Sequence, residues 1–345
     1  MTNKFQLTIG VLTMTEFFNA LQVDLVDSKA TATVEKLTFA DLPEGDILIE
    51  VHYSSVNYKD ALAFQTKGGV VRTYPMVPGI DLSGIVKEST NPKFKAGDPV
   101  LVTGYKLGIQ HFGGYSQFAR VPSEWVVPLP AGLSLREAMI IGTAGFTAAL
   151  SIHQLELNGL TPSGGDILVV GATGGVGSMA IAQLKALGYS SITAGTRKQT
   201  ESDFLFSIGA SQVSPLSEIQ LDPKKPLAKQ RWQGVVDPVG GDLLPDLFAQ
   251  INYNGALALS GNAGGINFSA SVFPFILRGV KLLGIDSVDC PFQLRQELWS
   301  KLASTMKPAN LEGMLDNEIS LTELPLALEK ILAGKMRGRT LVKLN

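Results

Sequence analysis

Residues 167 to 177 read Ile-Leu-Val-Val-Gly-Ala-Thr-Gly-Gly-Val-Gly, and no other stretch constrains the fold as much. Ile167 to Val170 is a short, wholly apolar run, the pattern of a parallel strand buried on both faces. Gly171, Gly174, Gly175 and Gly177 then permit a tight turn whose backbone can approach a ligand closely. From Val176 onward, Met179, Ala180, Ile181, Leu184 and Leu187 recur with helical period, and Gly188 ends the pattern. Strand, glycine turn and helix N-terminus together make a pyrophosphate site, because free N–H groups and the helix dipole both favour an anion. An ordinary glycine-rich βα turn would explain the glycines alone, whereas the flanking strand and helix complete the dinucleotide fingerprint. The chain is expected to bind a dinucleotide.

The next strand bears on which one. Ser191 to Ala194 run into Gly195-Thr196-Arg197-Lys198. An enzyme that uses NAD usually places Asp or Glu there, about 20 residues beyond the glycines, to accept hydrogen bonds from the ribose hydroxyls. Here the strand ends in a hydroxyl and two cations, and the first acid is Glu201, inside the following helical pattern. Arg197 can pair with a phosphate in bidentate fashion and Lys198 adds a point charge. The pattern predicts NADPH over NADH; the alternative is a solvated loop of two cations.

A chain of 345 residues suggests two domains, each able to bury its own core. Apolar content of 45% and charged content of 17% describe a globular protein with no disordered tail. A net charge of -2, with no basic stripe interleaved with aromatics, argues against a nucleic-acid partner. Cys290 is the single cysteine, which excludes an internal disulfide and suggests a cytoplasmic protein. The longest apolar runs fall short of the roughly 18 residues that cross a membrane, so no membrane association is expected. Leu7 to Leu12 is too short for a signal-peptide core. Met14 stands just before Phe17 to Val23, which reads as the first strand, so residues 1–13 either belong to the protein or precede its true start.

Up to about residue 140 the chain consists of short β-like runs separated by glycine and proline. Asp46 to Tyr53, Leu82 to Val86, Pro99 to Thr103, Tyr115 to Val121 and Trp125 to Pro128 are examples, and they predict an antiparallel, barrel-like β domain. Leu135 to Ile141 and Thr147 to Leu155 then read as helices, after which βα units repeat. Strands are expected at Ile167–Val170, Ser191–Ala194, Gly234–Asp237, Gly255–Leu259 and Lys281–Gly284, with helices between them such as Thr200–Ile208 and Leu243–Ile251. This is the pattern of a doubly wound parallel sheet. Helices around Leu294 to Met306 and Leu324 to Ala333, and a strand from Arg339 to Leu344, are expected to return to the β domain.

That order resembles the medium-chain dehydrogenase/reductase superfamily. Asn57-Tyr58-Lys59-Asp60, Pro78-Gly79-Ile80-Asp81-Leu82-Ser83-Gly84, Gly97-Asp98-Pro99-Val100, Gly113-Gly114-Tyr115-Ser116, Gly142 to Ala148 and Gly338 to Lys343 carry the resemblance over most of the chain. Ser54 to Asp60, Ile140 to Thr147 and Phe273-Pro274-Phe275-Ile276-Leu277-Arg278 are similar to the zinc-independent acryloyl-CoA reductase group, also labelled quinone oxidoreductases. The resemblance implies an α/β protein: a GroES-like β-barrel catalytic domain from residues 1–142 and 291–345, and a Rossmann NADPH-binding domain from residues 143–290. Zinc enzymes of the superfamily hold metal with cysteine and histidine. With no cysteine before Cys290, and with His52, His111 and His153 far apart, no metal is expected here.

By the same resemblance, Asn57, Tyr58 and Asp60 lie beside the nicotinamide, with Tyr58 the first choice for a hydroxyl near the reacting carbon and Asp60 orienting Lys59 or a water. Gly171, Thr173, Gly174, Gly175 and Val176 would cradle the pyrophosphate, and Gly195, Thr196 and Arg197 the adenosine phosphate. Asn262 would lie by the nicotinamide or its ribose, Ile276 and Ser287 would line the nicotinamide side, and Gly334 would approach from the C-terminal segment. The group tends to carry a second basic residue after the Gly209-Ala210-Ser211 turn; this chain has Pro215-Leu216 there, which weakens the expected grip on the 2′-phosphate. The implied activity is reduction of the C=C bond of a short 2-enoyl-CoA such as acryloyl-CoA. The alternatives are a quinone or enone reductase and a non-catalytic NADPH-binding protein. Coenzyme A would want cations at the cleft rim, with Lys67, Arg72 and Arg278 as candidates. A homodimer is expected.

Overall fold

The computed structural model describes residues 17–66, 68–222 and 224–345. The question about residues 1–13 and Met14, and the candidate Lys67, fall outside the described residues. A hairpin opens the described chain: β1 (Phe17–Val26) and β2 (Lys29–Thr38) join through Asp27 and Ser28 at φ of 50° and 61°. Two left-handed residues give the turn whose twist matches that of the strands. β3 (Ile47–Ser55), the short helix α1 (Tyr58–Ala63), β4 (Asp81–Ser89), β5 (Pro99–Thr103), β6 (Phe118–Val121) and β7 (Val127–Pro128) follow.

The middle of the chain alternates helix and strand. It runs α2 (Leu135–Leu157), β8 (Ile167–Val170), α3 (Gly175–Ala186), β9 (Ile192–Thr196), α4 (Ser202–Ser207), β10 (Gln212–Pro215), α5 (Leu216–Ile219), β11 (Trp232–Asp237), α6 (Leu244–Gln250), β12 (Ile251–Leu259), α7 (Phe273–Arg278) and β13 (Lys281–Gly284). The strands form one parallel sheet in the order β10-β9-β8-β11-β12-β13. This is the doubly wound order, and the chain reverses direction across the sheet between β8 and β11, which opens a crevice at their C-terminal ends. All four residues of β8 are fully buried, as an apolar run without alternation requires.

The last segment is α8 (Phe292–Leu302), β14 (Leu315–Ile319), α9 (Leu324–Leu332) and β15 (Arg339–Lys343). β14 lies parallel to β15, and β15 pairs antiparallel with β3, so the C-terminus joins the sheet β14-β15-β3-β4-β5-β7. The expected return to the β domain is thus observed.

Three strands, β2, β10 and β14, are not among those the sequence pattern predicts. β10 (Gln-Val-Ser-Pro) and β14 (Leu-Asp-Asn-Glu-Ile) each end a sheet, so one side of each has no neighbouring strand and polar residues are tolerated. The two helices expected over 135–155 form one run, broken at Gly142 with φ 51° and ψ −162°. That backbone conformation is essentially restricted to glycine. By length and composition Leu135–Leu157 is apolar enough to cross a membrane, against the sequence expectation, yet 83% of that window is buried inside the fold.

Candidate active site

The glycine turn lies at the C-terminal end of β8. Gly171 has φ +59°, and a Cβ there would come within 2.8 Å of Val239 Cγ2. A Cβ on Gly177 would stand 2.4 Å from the Gly171 carbonyl oxygen, so glycine is what lets α3 pack this close to the end of the strand. Gly174 is the N-cap of α3, and no side chain caps it. The first-turn amides, those of Gly175 and Val176 among them, are therefore left without an intrahelical partner. Thr173 is buried, and its carbonyl accepts the Gly338 N–H at 2.9 Å, which ties the turn to the start of β15. Open amides at a helix N-terminus beside glycines with no room for a side chain fit a dinucleotide phosphate.

At the end of β9, Gly195 packs where a Cβ would meet Ile219 at 3.0 Å, and Thr196 Oγ1 accepts the Lys198 N–H at 2.9 Å. Lys198 Nζ donates to the Met336 carbonyl at 2.7 Å, so this cation fastens the C-terminal segment to the loop. It is not the free point charge that the sequence suggests. Burial holds the Lys198 amine below its usual range, opposed by the nearby Glu201. Gly334 passes beside Arg197: a Cβ on it would be 3.9 Å from Nη2. Asn262 is exposed past the end of β12, its Cα 3.6 Å from where a Cβ on Gly240 would be. Past β13, Ser287 Oγ and Thr147 Oγ1 on α2 are hydrogen-bonded at 2.8 Å, and the Ser287 carbonyl accepts from Arg295 at 3.1 Å. Ile276 is the exception. It is 68% exposed on α7, and Arg278 two residues on bonds the Ala249 and Ile251 carbonyls where β12 begins, away from the crevice.

Beneath the turn lies a buried ionic cluster that sequence patterns did not single out. Arg339, 2% exposed at the start of β15, donates from Nε to the Ile140 carbonyl at 3.0 Å and from Nη1 to the Val56 carbonyl and to Asn57 Oδ1, both at 3.2 Å. Its Nη2 donates to Ser55 Oγ at 2.5 Å, and that hydroxyl donates in turn to Asp81 Oδ2 at 2.7 Å. Asp81 also accepts from the Ser55 N–H, from Asn57 Nδ2 and, at 3.0 Å, from the Thr143 N–H. The last contact fits the break in α2: the kink at Gly142 frees the first amides of the second half, and a buried carboxylate caps that of Thr143. A Cβ on Gly142 would meet Arg339, Ser55 and Asp81 side-chain atoms within 2.8 Å. The missed signal was present in the sequence. Asp81 before Leu82 and Arg339 before Leu341-Val342 are opposite charges in apolar strands, and buried charges need partners.

Asp60 belongs to the same cluster. It is fully buried and accepts the Asn57 and Ile80 N–H groups, both at 2.9 Å. Burial, and then the charge of Asp81, push its carboxyl up to about 7. One guanidinium balances one carboxylate, so the second holds its proton more tightly. Tyr115, buried beside Asp60, donates from its hydroxyl to the Ser55 carbonyl at 3.2 Å, and burial raises its phenol. Asp60 is thus buried with its carboxylate bonded to Asn57 and the Ile80 amide, and Asn57 is fixed through both ends of its own amide. Tyr58 stands at the first position of α1 with 37% of its surface exposed, the one member of the expected trio open to solvent.

Other candidates are otherwise engaged. Arg278 donates to backbone carbonyls of Ala228, Ala249 and Ile251 and so is not a free rim cation, whereas Arg72 is exposed. His111 Nε2 is bound to the Arg120 carbonyl at 2.7 Å. Among the described residues no cluster of three or more His, Cys, Asp or Glu could hold a metal ion.

The chain matches the alcohol dehydrogenase GroES-like domain model over residues 43–131 and the zinc-binding dehydrogenase model over residues 175–305. The donor set described above does not fit the zinc that the second description implies. Acrylyl-CoA reductase AcuI of Ruegeria pomeroyi is 46% identical over 330 residues, covering 95% of this chain and 99% of that protein. YhfP of Bacillus subtilis, provisionally named a quinone oxidoreductase, is 48% identical over 331 residues. Its crystal structure with NAD bound matches with a TM-score of 0.93, over 95% of this chain and 100% of that one. The yhdH oxidoreductase of Salmonella enterica in complex with NADP matches with a TM-score of 0.91 at 44% identity, over 95% and 100% of the two chains. A glycine turn at the switch point of a doubly wound sheet, a β domain completed by the C-terminus, and identities near one half across the whole length lead to one conclusion: the chain belongs to the medium-chain dehydrogenase/reductase family, among the oxidoreductases of the AcuI and YhfP group.

Proposed function

We propose that this enzyme reduces the C=C bond of a short 2-enoyl-CoA, acryloyl-CoA to propanoyl-CoA, with NADPH. The observation that carries the reading is the 46% identity to an acrylyl-CoA reductase across nearly the full length of both chains. The strand after the glycine turn, which ends in Arg197 without an acid, supports NADPH. When bound, NADPH supplies a hydride, and the β-carbon of an unsaturated thioester is the electrophilic position. Gly171, Thr173, Gly174, Gly175 and Val176 would hold its pyrophosphate, Gly195, Thr196, Arg197 and Gly334 its adenosine end, and Asn262 and Ser287 would border the nicotinamide. Negative charge then develops on the thioester oxygen, where a hydrogen-bond donor lowers the barrier. Asp60, Asp81 and Arg339 lock Asn57 and the start of α1, which presents the Tyr58 hydroxyl from a rigid support. Tyr58 or water delivers the proton to the α-carbon, and Asp60 acts only through Asn57.

The test is chemical. With acryloyl-CoA and NADPH deuterated at C4, label is expected at the β-carbon and solvent deuterium at the α-carbon. Tyr58→Phe is expected to lower kcat by about 10²–10⁴-fold if the hydroxyl acts as a general acid, and full kcat would leave water as the donor. Turnover of simple quinones without turnover of acryloyl-CoA would favour a quinone or enone reductase. Binding of NADPH with no turnover of either would favour a non-catalytic protein.

Two further proposals follow. The chain divides at residues 142/143 and 290/291, supported by the break at Gly142 and the return of β15 to β3. It forms a cytoplasmic homodimer through β13, the last strand in the order of its sheet, together with the exposed apolar residues Ile266, Val272, Phe273, Ile276, Leu277 and Leu282. Light scattering of the purified chain at twice the monomer mass is the expected result, and monomer mass would remove the proposal.

A further inference from the structure

The loop after β9 carries an acid as well as its two cations. Glu201 lies in the 3-10 turn that follows Arg197 and Lys198. Beside a ribose phosphate a free carboxylate repels, whereas beside a ribose diol it accepts hydrogen bonds. In the structure Glu201 is not left free. Arg337, from the segment between α9 and β15, brings Nη1 to 3.7 Å from Glu201 Oε2 and Nη2 to 3.7 Å from Asp316 Oδ1. Its guanidinium lies over the Phe204 ring at 5.0 Å, which fixes its height on α4. The same segment is fastened by Lys198 to Met336, and it begins at Gly334 beside Arg197. Residues 334–337 therefore cross the loop with Gly334 next to Arg197 and Arg337 next to Glu201. Asp316 is already paired with Lys330 at 3.0 Å, so Arg337 is available to pair with Glu201 directly, with the Lys198 charge nearby.

We propose that Arg337 is a cofactor-specificity residue: by neutralising Glu201 at the rim, it keeps the ground that Arg197 presents positive toward a 2′-phosphate. This compensates for the uncharged Pro215-Leu216 on the neighbouring strand end. The proposal rests on the reading that Arg197 meets the 2′-phosphate of NADPH. NADH gains nothing from the pairing, because its ribose hydroxyl is neutral and a released Glu201 can accept from it.

The test compares dissociation constants of NADPH, NADH and 2′,5′-ADP at low salt for the wild type, Arg337→Gln, and Arg337→Gln combined with Glu201→Gln. Glutamine keeps part of the aliphatic stem and removes the charge. Arg337→Gln is expected to weaken NADPH and 2′,5′-ADP about 3- to 5-fold, the scale of an exposed ion pair, and to leave NADH unchanged or tighter. The loss should shrink as salt rises. Adding Glu201→Gln should bring NADPH back to within about twofold of the wild type, since the repelling charge is gone. Equal weakening of NADPH and NADH, or a loss that the second substitution fails to restore, overturns the proposal. Arg197→Ala separates the two layers. If it is selective against NADPH and Arg337→Gln is not, only Arg337 has been misassigned. If neither is selective, the reading of the 2′-phosphate site has failed.

Discussion

The glycine turn and the buried ionic cluster meet at Arg339, whose Nη1 would stand 3.1 Å from a Cβ on Gly175, yet they are built by opposite means. The turn works by absence. Its glycines leave no side chain between backbone amides and a ligand, and a local run of eleven residues, 167–177, contains the whole device. The cluster works by saturation. Ser55, Asn57, Asp60, Asp81, Tyr115 and Arg339 come from four separate stretches of chain, and most of their polar atoms already have protein partners. An open site binds and a closed one positions: the first must tolerate exchange of ligand, and the second must hold the start of α1 still while that happens.

The contrast predicts different failures. The largest effect belongs to the cluster. Arg339→Met leaves Asp81 and Asp60 without their cation, and should lower unfolding free energy in denaturant titration by about 3–5 kcal/mol, the cost of an uncompensated buried charge. A loss below about 1 kcal/mol would mean that the carboxylates discard their charge freely and that the cluster is not held by charge. Damage to the binding rim should spare stability. Arg197→Ala is expected to leave the denaturation midpoint unchanged and to weaken NADPH selectively by about 1.5–3 kcal/mol, the scale of a charge-assisted contact. Equal weakening of NADH would break the assignment.

Gly142→Ala probes the joint between the kink and the cluster. Both the left-handed backbone and the contacts within 2.8 Å oppose a Cβ there, and a stability loss of about 1–3 kcal/mol is expected. An unchanged midpoint would show that α2 can straighten without disturbing Asp81. The smallest effect is read as a slope. Because Asp60 is raised to about 7 from an ordinary 3.8, the folded chain holds a proton that the unfolded chain has lost between those values. Stability should therefore fall as pH rises across that window, and Asp60→Asn should flatten the slope. The same slope in the variant would assign the proton to another group.

Legibility in the sequence followed the range of the interaction. β8, β5 and β13 were predicted to the residue, since an apolar run between turn residues needs no knowledge of its neighbours. β10 and β14 were invisible, since edge position rather than composition makes them strands. Tyr58, Gly175 and Arg197 could be named from motif and resemblance, whereas the commitment of Lys198 to Met336 and of Arg278 to three carbonyls depends on segments that no local pattern joins.

By itself the sequence determined the alternation of strands and helices, the phosphate-binding turn, and the lack of a cysteine and histidine set for zinc, because each is written in adjacent residues or in composition. Only the tertiary structure decided that Asp81 caps the second half of α2, that Arg339 joins Ser55, Val56 and Asn57 to Ile140, and that Arg337 covers Glu201. The physical reason is that a charge has no fixed meaning along a chain. Whether it repels, pairs or shifts its proton is set by which distant groups the fold brings within a few ångströms, and by how much water it leaves between them.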